Sequence, residues 1–471
     1  MTPTPQRVGI IGAGVSGMAA AWMLEDDHQV TLFDKETRLG GHAETVAVVV
    51  GERTIYGELG PRFFFDPSYP YFLGLLRLLG VPIRWNDARV SVTEVASGHT
   101  VVLPPRSPRH VLSLLRSPRR IRHLLSLRRL ISEQPEVFAA RDFTVPFHRY
   151  LAERGYPASF GPEFAFPFLA AAWGSPIAQI RDFPAYSLLK GMPPGDKAGF
   201  FEIEGGMARY MRAFGERLAR ATRRLGTGIR SVAHDDGGWM VEDERGERLR
   251  FDQLIVATSS RDAAALLRGV PAAAEMQAAI AGFRHFHTDI VLHGDAGYMP
   301  PSRKDWAHNN FFFDGDLAWM SDWQGLREGV DVIRTWLPKG RPLPQPLYGK
   351  QSYYHLVMSP ENAVLQARLA AVQGRGGLWA TGMYTTDVDN HESALLSAVV
   401  PARALAPASK NLARLLGAVA PDAKHGLEVL PVPLSSVARP APAIAGAAEG
   451  QSVSVRRSDG AASSSRRAPT S

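Results

Sequence analysis

Apolar positions first form an unbroken run, Val8 to Ile11, too short for a helix and without polar alternation. That pattern predicts a strand buried on both faces. A helical stretch, Met18 to Leu24, follows; Glu25 to His28 breaks it, and Gln29 to Phe33 predicts a second strand ending at Asp34. The order is β-α-β. Tyr71 to Leu79 predicts a helix closed by Gly80, whereas from Trp85 onward the alternation of strand and helix is lost. Met207 to Arg224 predicts a further helix. Trp239 to Glu242, Leu249 to Phe251 and Gln253 to Ala257 predict three strands, and Leu378 to Thr381 a short apolar strand before a helix near Ser393. No internal repeat is present.

Of 471 residues, 45% are hydrophobic and 21% charged, which predicts a globular chain of two or three domains. Cysteine is absent, so disulfides, thiolate metal sites, cysteine nucleophiles and dithiol redox pairs are excluded. Redox chemistry here requires a bound cofactor. Met1 to Arg7 lacks the apolar core of a signal peptide, and no apolar run reaches the roughly 18 residues of a membrane span, Phe164 to Gly174 coming nearest. A cytoplasmic protein is expected.

The formal charge of +7 suggests a polyanionic partner until its location is considered. Pro104 to Ser132 has eight arginines and no acid, and the segment from Val437 has five arginines against Glu449 and Asp459. Removing these +8 and +3 leaves the remainder at −4. Residues 437–471, rich in Ala, Ser, Pro and Gly, are expected to be disordered. Arg119 to Ile131 predicts a basic amphipathic helix with Ile121, Leu124, Leu125 and Leu127 near one face. Leucines rather than stacking aromatics separate the arginines, which argues against nucleic acid. Two readings remain for 104–132: a solvated helix face, or peripheral contact with a membrane.

Gly12, Gly14 and Gly17 stand in G-x-G-x-x-G spacing directly after the first strand. In that context Gly12 permits a tight turn, Gly14 lets a pyrophosphate approach the backbone, and Gly17 allows close helix packing. Asp34, twenty residues after Gly14, can accept hydrogen bonds from ribose hydroxyls. Asp34-Lys-Glu-Thr-Arg38-Leu-Gly40-Gly41-His42 comes next, then Glu58-Leu-Gly60-Pro-Arg62, Gly205-Gly206-Met207, Ile255-Val-Ala257 and Gly377-Leu-Trp379-Ala-Thr-Gly382. In this order these segments resemble the flavin-containing amine oxidase superfamily.

The resemblance implies an α/β protein with FAD held non-covalently. A Rossmann-like FAD domain would be assembled from 1–84, 200–270 and 372–430, and an α+β substrate domain from 85–199 and 271–371. Val15 and Ser16 would lie at the pyrophosphate and Asp34, with Lys35, at the ribose. Arg38, Gly41 and His42 would border the pyrophosphate and ribityl chain, Gly60 and Arg62 the ring, and the Ile229 backbone the adenine. Gly382 and the turn at Glu392-Ser393 would close the site. Many relatives have an acid directly after the glycine equivalent to Gly382; here that residue is Met383, so either Glu392 substitutes or the contact is absent. His42 lies where a covalent flavin link is conceivable, though non-covalent binding is the expectation.

Within the superfamily, Phe283 to Asp295, Met299 to Trp306 and Tyr384 to Ser393 resemble a bacterial group closer to phytoene desaturases and polyenoic fatty acid isomerases than to monoamine oxidases. His285, His287, His293 and Asp295 alternate along one strand face, but no ligand cage follows and no metal is expected. The lysine that amine oxidases commonly hold near the flavin is missing between Ala198 and Arg303, with Lys304 just beyond. Phe63 to Phe65, Phe164 to Trp173 and Phe311 to Phe313 suit an apolar cavity, or equally plain core. The first expectation is a dehydrogenase or desaturase of an apolar, lipid-like or polyene small molecule. Double-bond isomerisation, amine oxidation and a non-enzymatic lipid-binding role, as in the similar Rab GDP-dissociation inhibitors, follow. Arg62, as flavin stabiliser or carboxylate anchor, and His391, as proton carrier, are the candidate catalytic residues, each equally explicable as structural.

Overall fold

The computed structural model describes residues 4–65, 68–86, 89–192, 200–386 and 388–419. The predicted tail, 437–471, lies outside them. A five-stranded parallel sheet has the order Thr222–Arg224, Gln29–Phe33, Arg7–Ile11, Gln253–Val256, Leu378–Ala380. Ile10 pairs with Leu32 on one side and Ile255 on the other. Its inner strands lack polar alternation because both faces are covered. Val8, Ile10, Leu32 and Ile255 face helices Val15–Leu24, His391–Ser397 and Val399–Leu405. Ile11, Phe33, Leu254 and Val256 face the antiparallel sheet Ile229–Asp235, Gly238–Asp243, Arg248–Phe251, where Phe33 and Phe251 meet edge to face.

A seven-stranded sheet forms the second layer system, in the order Leu347–Leu356, His285–His293, Ile333–Leu337, Leu317–Trp323, Asn309–Asp314, Val90–Glu94, His99–Leu103. Its strands from 90–103 form a hairpin in the stretch after Trp85, where the alternation of strand and helix is lost from the sequence. The turn at Val95–Gly98, with Gly98 at φ +64, joins two strands short enough for their alternation to escape a longer window. Helices between Pro108 and Lys190 pack beside this sheet. Among the described residues no helix is long and apolar enough to cross a membrane.

The helix predicted over 207–224 ends at Arg217. Beyond it the buried Glu25 carboxylate accepts the N–H groups of Ala219, Arg220 and Ala221 at 2.8–3.3 Å. Those bonds hold the chain in a loop that leads Thr222–Arg224 onto the open edge of Gln29–Phe33. Helix Pro70–Leu79 ends on left-handed Gly80, as its sequence predicts.

Candidate functional site

The strand order reverses at Arg7–Ile11, whose successors in the chain and in the sheet lie on opposite sides. Crevices at such points, outside the carboxyl ends of the strands, bind ligands in open α/β sheets. Gly12 turns the chain there with φ +109, and a Cβ at Gly17 would stand 1.8 Å from the Gly12 carbonyl oxygen. A Cβ at Gly14 would meet nothing within 4 Å, so this residue borders open space. Gly14 is the N-cap of helix Val15–Leu24 and offers no side chain to its first-turn N–H groups, those of Val15, Ser16 and Gly17. Uncapped donors facing a glycine-lined space fit a phosphate anion.

Asp34 is half-buried beside this turn, its carboxylate accepting the Ala13 N–H at 2.6 Å and the Glu36 N–H at 2.9 Å. Both oxygens keep a lone pair for a hydroxyl donor. The chain at 226–227 donates to the carbonyls of Glu36 and Asp34, and Ile229 opens the next strand two residues on. Lys35 is exposed. Arg38 donates to the Gly41 and Ala43 carbonyls and pairs with Glu44 at 3.2 Å, holding left-handed Gly41 within reach of Gly14. The His42 ring packs edge-on against Tyr353, and its carbonyl oxygen would lie 1.9 Å from a Cβ at Gly60. Gly382, at φ +138, follows the last strand of the sheet, and its N–H donates to Ser397 at 2.8 Å. These residues fit a dinucleotide, and the turns at Gly12, Gly41 and Gly382 are brought together.

Glu392 and Ser393 are used differently. Both Glu392 oxygens accept backbone N–H groups of helix Pro70–Leu79, from Tyr71 and Phe72, at 2.8 Å each, and burial pushes the carboxyl up to about 8. Glu392 thus caps that helix from outside it. Ser393 donates its N–H to Asn390, capping its own helix.

The two candidate catalytic residues, Arg62 and His391, both sit in closed surroundings. Every guanidinium nitrogen of Arg62 has a protein partner: Nε and Nη2 donate to Glu202 at 3.2 and 3.0 Å, Nη1 to Asp322, and Nη2 lies 3.2 Å from His308. Its fork is committed to a buried ion network, which Arg84 and Arg334 complete. Arg62 lines a cavity of about 500 Å³ with Glu58, Arg84, Glu202, Arg209 and Gln324. Burial lifts Glu58 there to about 7, against the N–H of Met207 and the Thr45 hydroxyl that favour its charge. His391 sits among the rings of Phe72, Phe64 and Tyr210, and burial pushes its pKa down to about 3. At ordinary pH it is the neutral imidazole, not an imidazolium acid.

Of the aromatic segments, Phe164 and Phe168 join Phe311 in a stacked series that begins with Tyr156 and Phe160, centroids 4.4–6.1 Å apart. Phe63 to Phe65 pack elsewhere, on Phe200, Phe72 and His308. His285 and His293 bond Ser260 and Thr335, and Asp295 caps the turn after it. Lys304 is exposed. Lys190, overlooked because it lies before the stretch where relatives place a lysine, reaches Tyr186 at 3.3 Å, and burial brings its ammonium down to about 8. No local pattern marks it.

Comparison with known proteins bears on the family and the fold. Over 294 residues the chain is 26% identical to coproporphyrinogen III oxidase of Mycobacterium tuberculosis, covering 57% of this chain and 62% of that one. The chain thus spans about three-fifths of the curated relatives' length. The CLA-producing fatty acid isomerase from P. acnes superposes with a TM-score of 0.63 at 15% identity, over 84% of this chain and 98% of that one. Putrescine oxidase bound to putrescine superposes at 0.57 and 15%, over 86% and 99%. These structures share the fold. The profile described as flavin containing amine oxidoreductase matches residues 15–293, more than half the sequence and most of the site just described, and the chain belongs to that family.

Proposed function

We propose that this chain is an FAD-dependent oxidoreductase that binds its cofactor non-covalently and removes hydride from a C–H bond of an apolar substrate, of the lipid-like, polyene or natural-product class. The observation behind the cofactor reading is the uncapped helix start behind Gly14, with Asp34 held alongside. When bound, the flavin supplies a two-electron acceptor for the hydride. The chain's own residues do the rest. N–H groups of Val15 and Ser16 bind the pyrophosphate, and the Asp34 carboxylate accepts from the ribose. No side chain is assigned as acid or base, since Arg62 is committed to Glu202 and Asp322. Likeness to coproporphyrinogen III oxidases over 294 residues supports net oxidation ahead of isomerisation.

Purified protein is expected to show oxidised-flavin absorbance and to release intact FAD on denaturation. Mixed anaerobically with coproporphyrinogen III, polyenoic fatty acids and putrescine in turn, it should bleach persistently with one of the first two classes. Shifted double bonds with unchanged flavin would assign isomerisation, and bleaching by putrescine alone amine oxidation. Gly14→Ala, at φ −71 and facing open space, should fold normally yet bind flavin about tenfold more weakly, roughly 1.4 kcal/mol. Wild-type protein that stays colourless with added FAD would sink the proposal.

A further inference from the structure

Helices Pro108–Leu115 and Pro118–Ser132 pack on each other beside His99–Leu103, the edge strand of the seven-stranded sheet. They bury His110, His123, Ser126 and Leu130. Their outer surface is unusually apolar. Val111, Leu112, Leu115 and Leu125 are 45, 49, 60 and 60% exposed, four of the ten large exposed hydrophobics among the described residues. Positions 111, 112 and 115 share one face of the first helix, and 122, 125 and 129 one face of the second.

Seven of the eight arginines divide into two sets. Arg109, Arg119 and Arg120 pair with Asp305, Glu163 and Glu94, tying the helices to the body, and Arg129 pairs with Glu133 at the end of its own helix. Arg116, Arg122 and Arg128 are exposed and have no ion pair with a described residue. No acid occurs from 104 to 132 to neutralise them. Unpaired guanidiniums beside exposed leucines make one surface with two demands, an anionic plane and an apolar layer beneath it. Nucleic acid supplies the first alone.

We infer that this helix pair docks on an anionic lipid bilayer, with Leu112, Leu115 and Leu125 entering the acyl boundary and Arg116, Arg122 and Arg128 meeting the headgroups. Interfacial helices bind through buried apolar area together with attraction to anionic lipid. The opposite face of Pro118–Ser132 leads inward: His123 packs on Phe160 and Phe164, from which the stacked rings continue through Phe168 to Phe311. An apolar seam therefore starts behind the docked surface. The inference does not depend on the reaction proposed above.

The full chain is sedimented with vesicles of phosphatidylcholine alone and of phosphatidylcholine mixed with phosphatidylglycerol. Two triple variants accompany it, Arg116→Gln/Arg122→Gln/Arg128→Gln and Leu112→Ser/Leu115→Ser/Leu125→Ser, all at exposed positions and expected to unfold at the wild-type temperature. Wild type should bind the anionic vesicles and not the neutral ones. The arginine variant should bind about a hundredfold more weakly, and the leucine variant should lose the binding that survives high salt. Wild type that ignores anionic vesicles, or variants that bind them equally well, would overturn the inference. So would an unimpaired leucine variant, because the attraction would then be electrostatic only, as for a nucleic acid.

Discussion

His391 shows how a ring cluster changes what a histidine can do. Its ring lies 4.6 Å from Phe72, its Nε2 is buried without a hydrogen-bond partner, and its pKa is near 3. In the unfolded chain a histidine titrates near 6.5, so between those values the unfolded state binds a proton that the folded state refuses. Its titration adds no penalty above pH 6.5, and stability falls as pH drops toward 3. At pH 5 the loss is roughly 2 kcal/mol. Replacing His391 by Phe should flatten the fall between pH 7 and pH 5 by about that amount in urea denaturation, and parallel profiles would refute this account. The sequence picked out His391 by type and position, but its ring neighbours come from distant segments, so its neutrality was not legible. Gly12 and Gly17 were legible because what they need, a positive φ and a missing Cβ, is settled within six residues.

Between elements, one carboxylate replaces a local cap. Helix Pro70–Leu79 begins after Tyr69 with no side-chain cap of its own, and Glu392 supplies both acceptors from over three hundred residues away. Glu392→Ala would leave the N–H groups of Tyr71 and Phe72 buried and unpaired, at a cost of about 1–3 kcal/mol. Thermal unfolding of the variant should show the loss, with Glu392→Gln falling between it and wild type; an unchanged midpoint for the alanine variant would argue that water satisfies these donors. Apolar spacing located this helix because the pattern lies within it. Spacing overran Arg217, since the arrest there depends on Glu25 in another segment. It passed over the 90–103 hairpin, whose first strand, Val90–Glu94, is stabilised by pairing with the distant Asn309–Asp314.

At the scale of the molecule, Asp322 joins parts that the sequence keeps apart. Fully buried, it receives Arg62 from the loop after Glu58 and Arg334 from the neighbouring strand, while Arg62 also grips Glu202. Removing a buried partner costs more than the pair itself contributes, because charges are stranded. Asp322→Ala is therefore expected to destabilise the protein by about 3–5 kcal/mol in denaturant titration, and a loss below 1 kcal/mol would show that the guanidiniums find water. None of this network was visible in sequence, where Arg62 read as a flavin or substrate contact. Four strands of the discontinuous parallel sheet were visible, because each borders a recognisable glycine turn or apolar run, whereas Thr222–Arg224 was read as the end of a helix. That sheet also sets a timetable for biosynthesis. Its central strand is made first and its edge strand, Leu378–Ala380, nearly last, so at about 5–20 residues per second the ribosome needs roughly 20–70 s to pass from residue 11 to residue 378. Throughout that interval Gln253–Val256, once made, presents an unpaired apolar edge to its surroundings. A nascent chain of this design must be shielded by other means until its own last strand arrives.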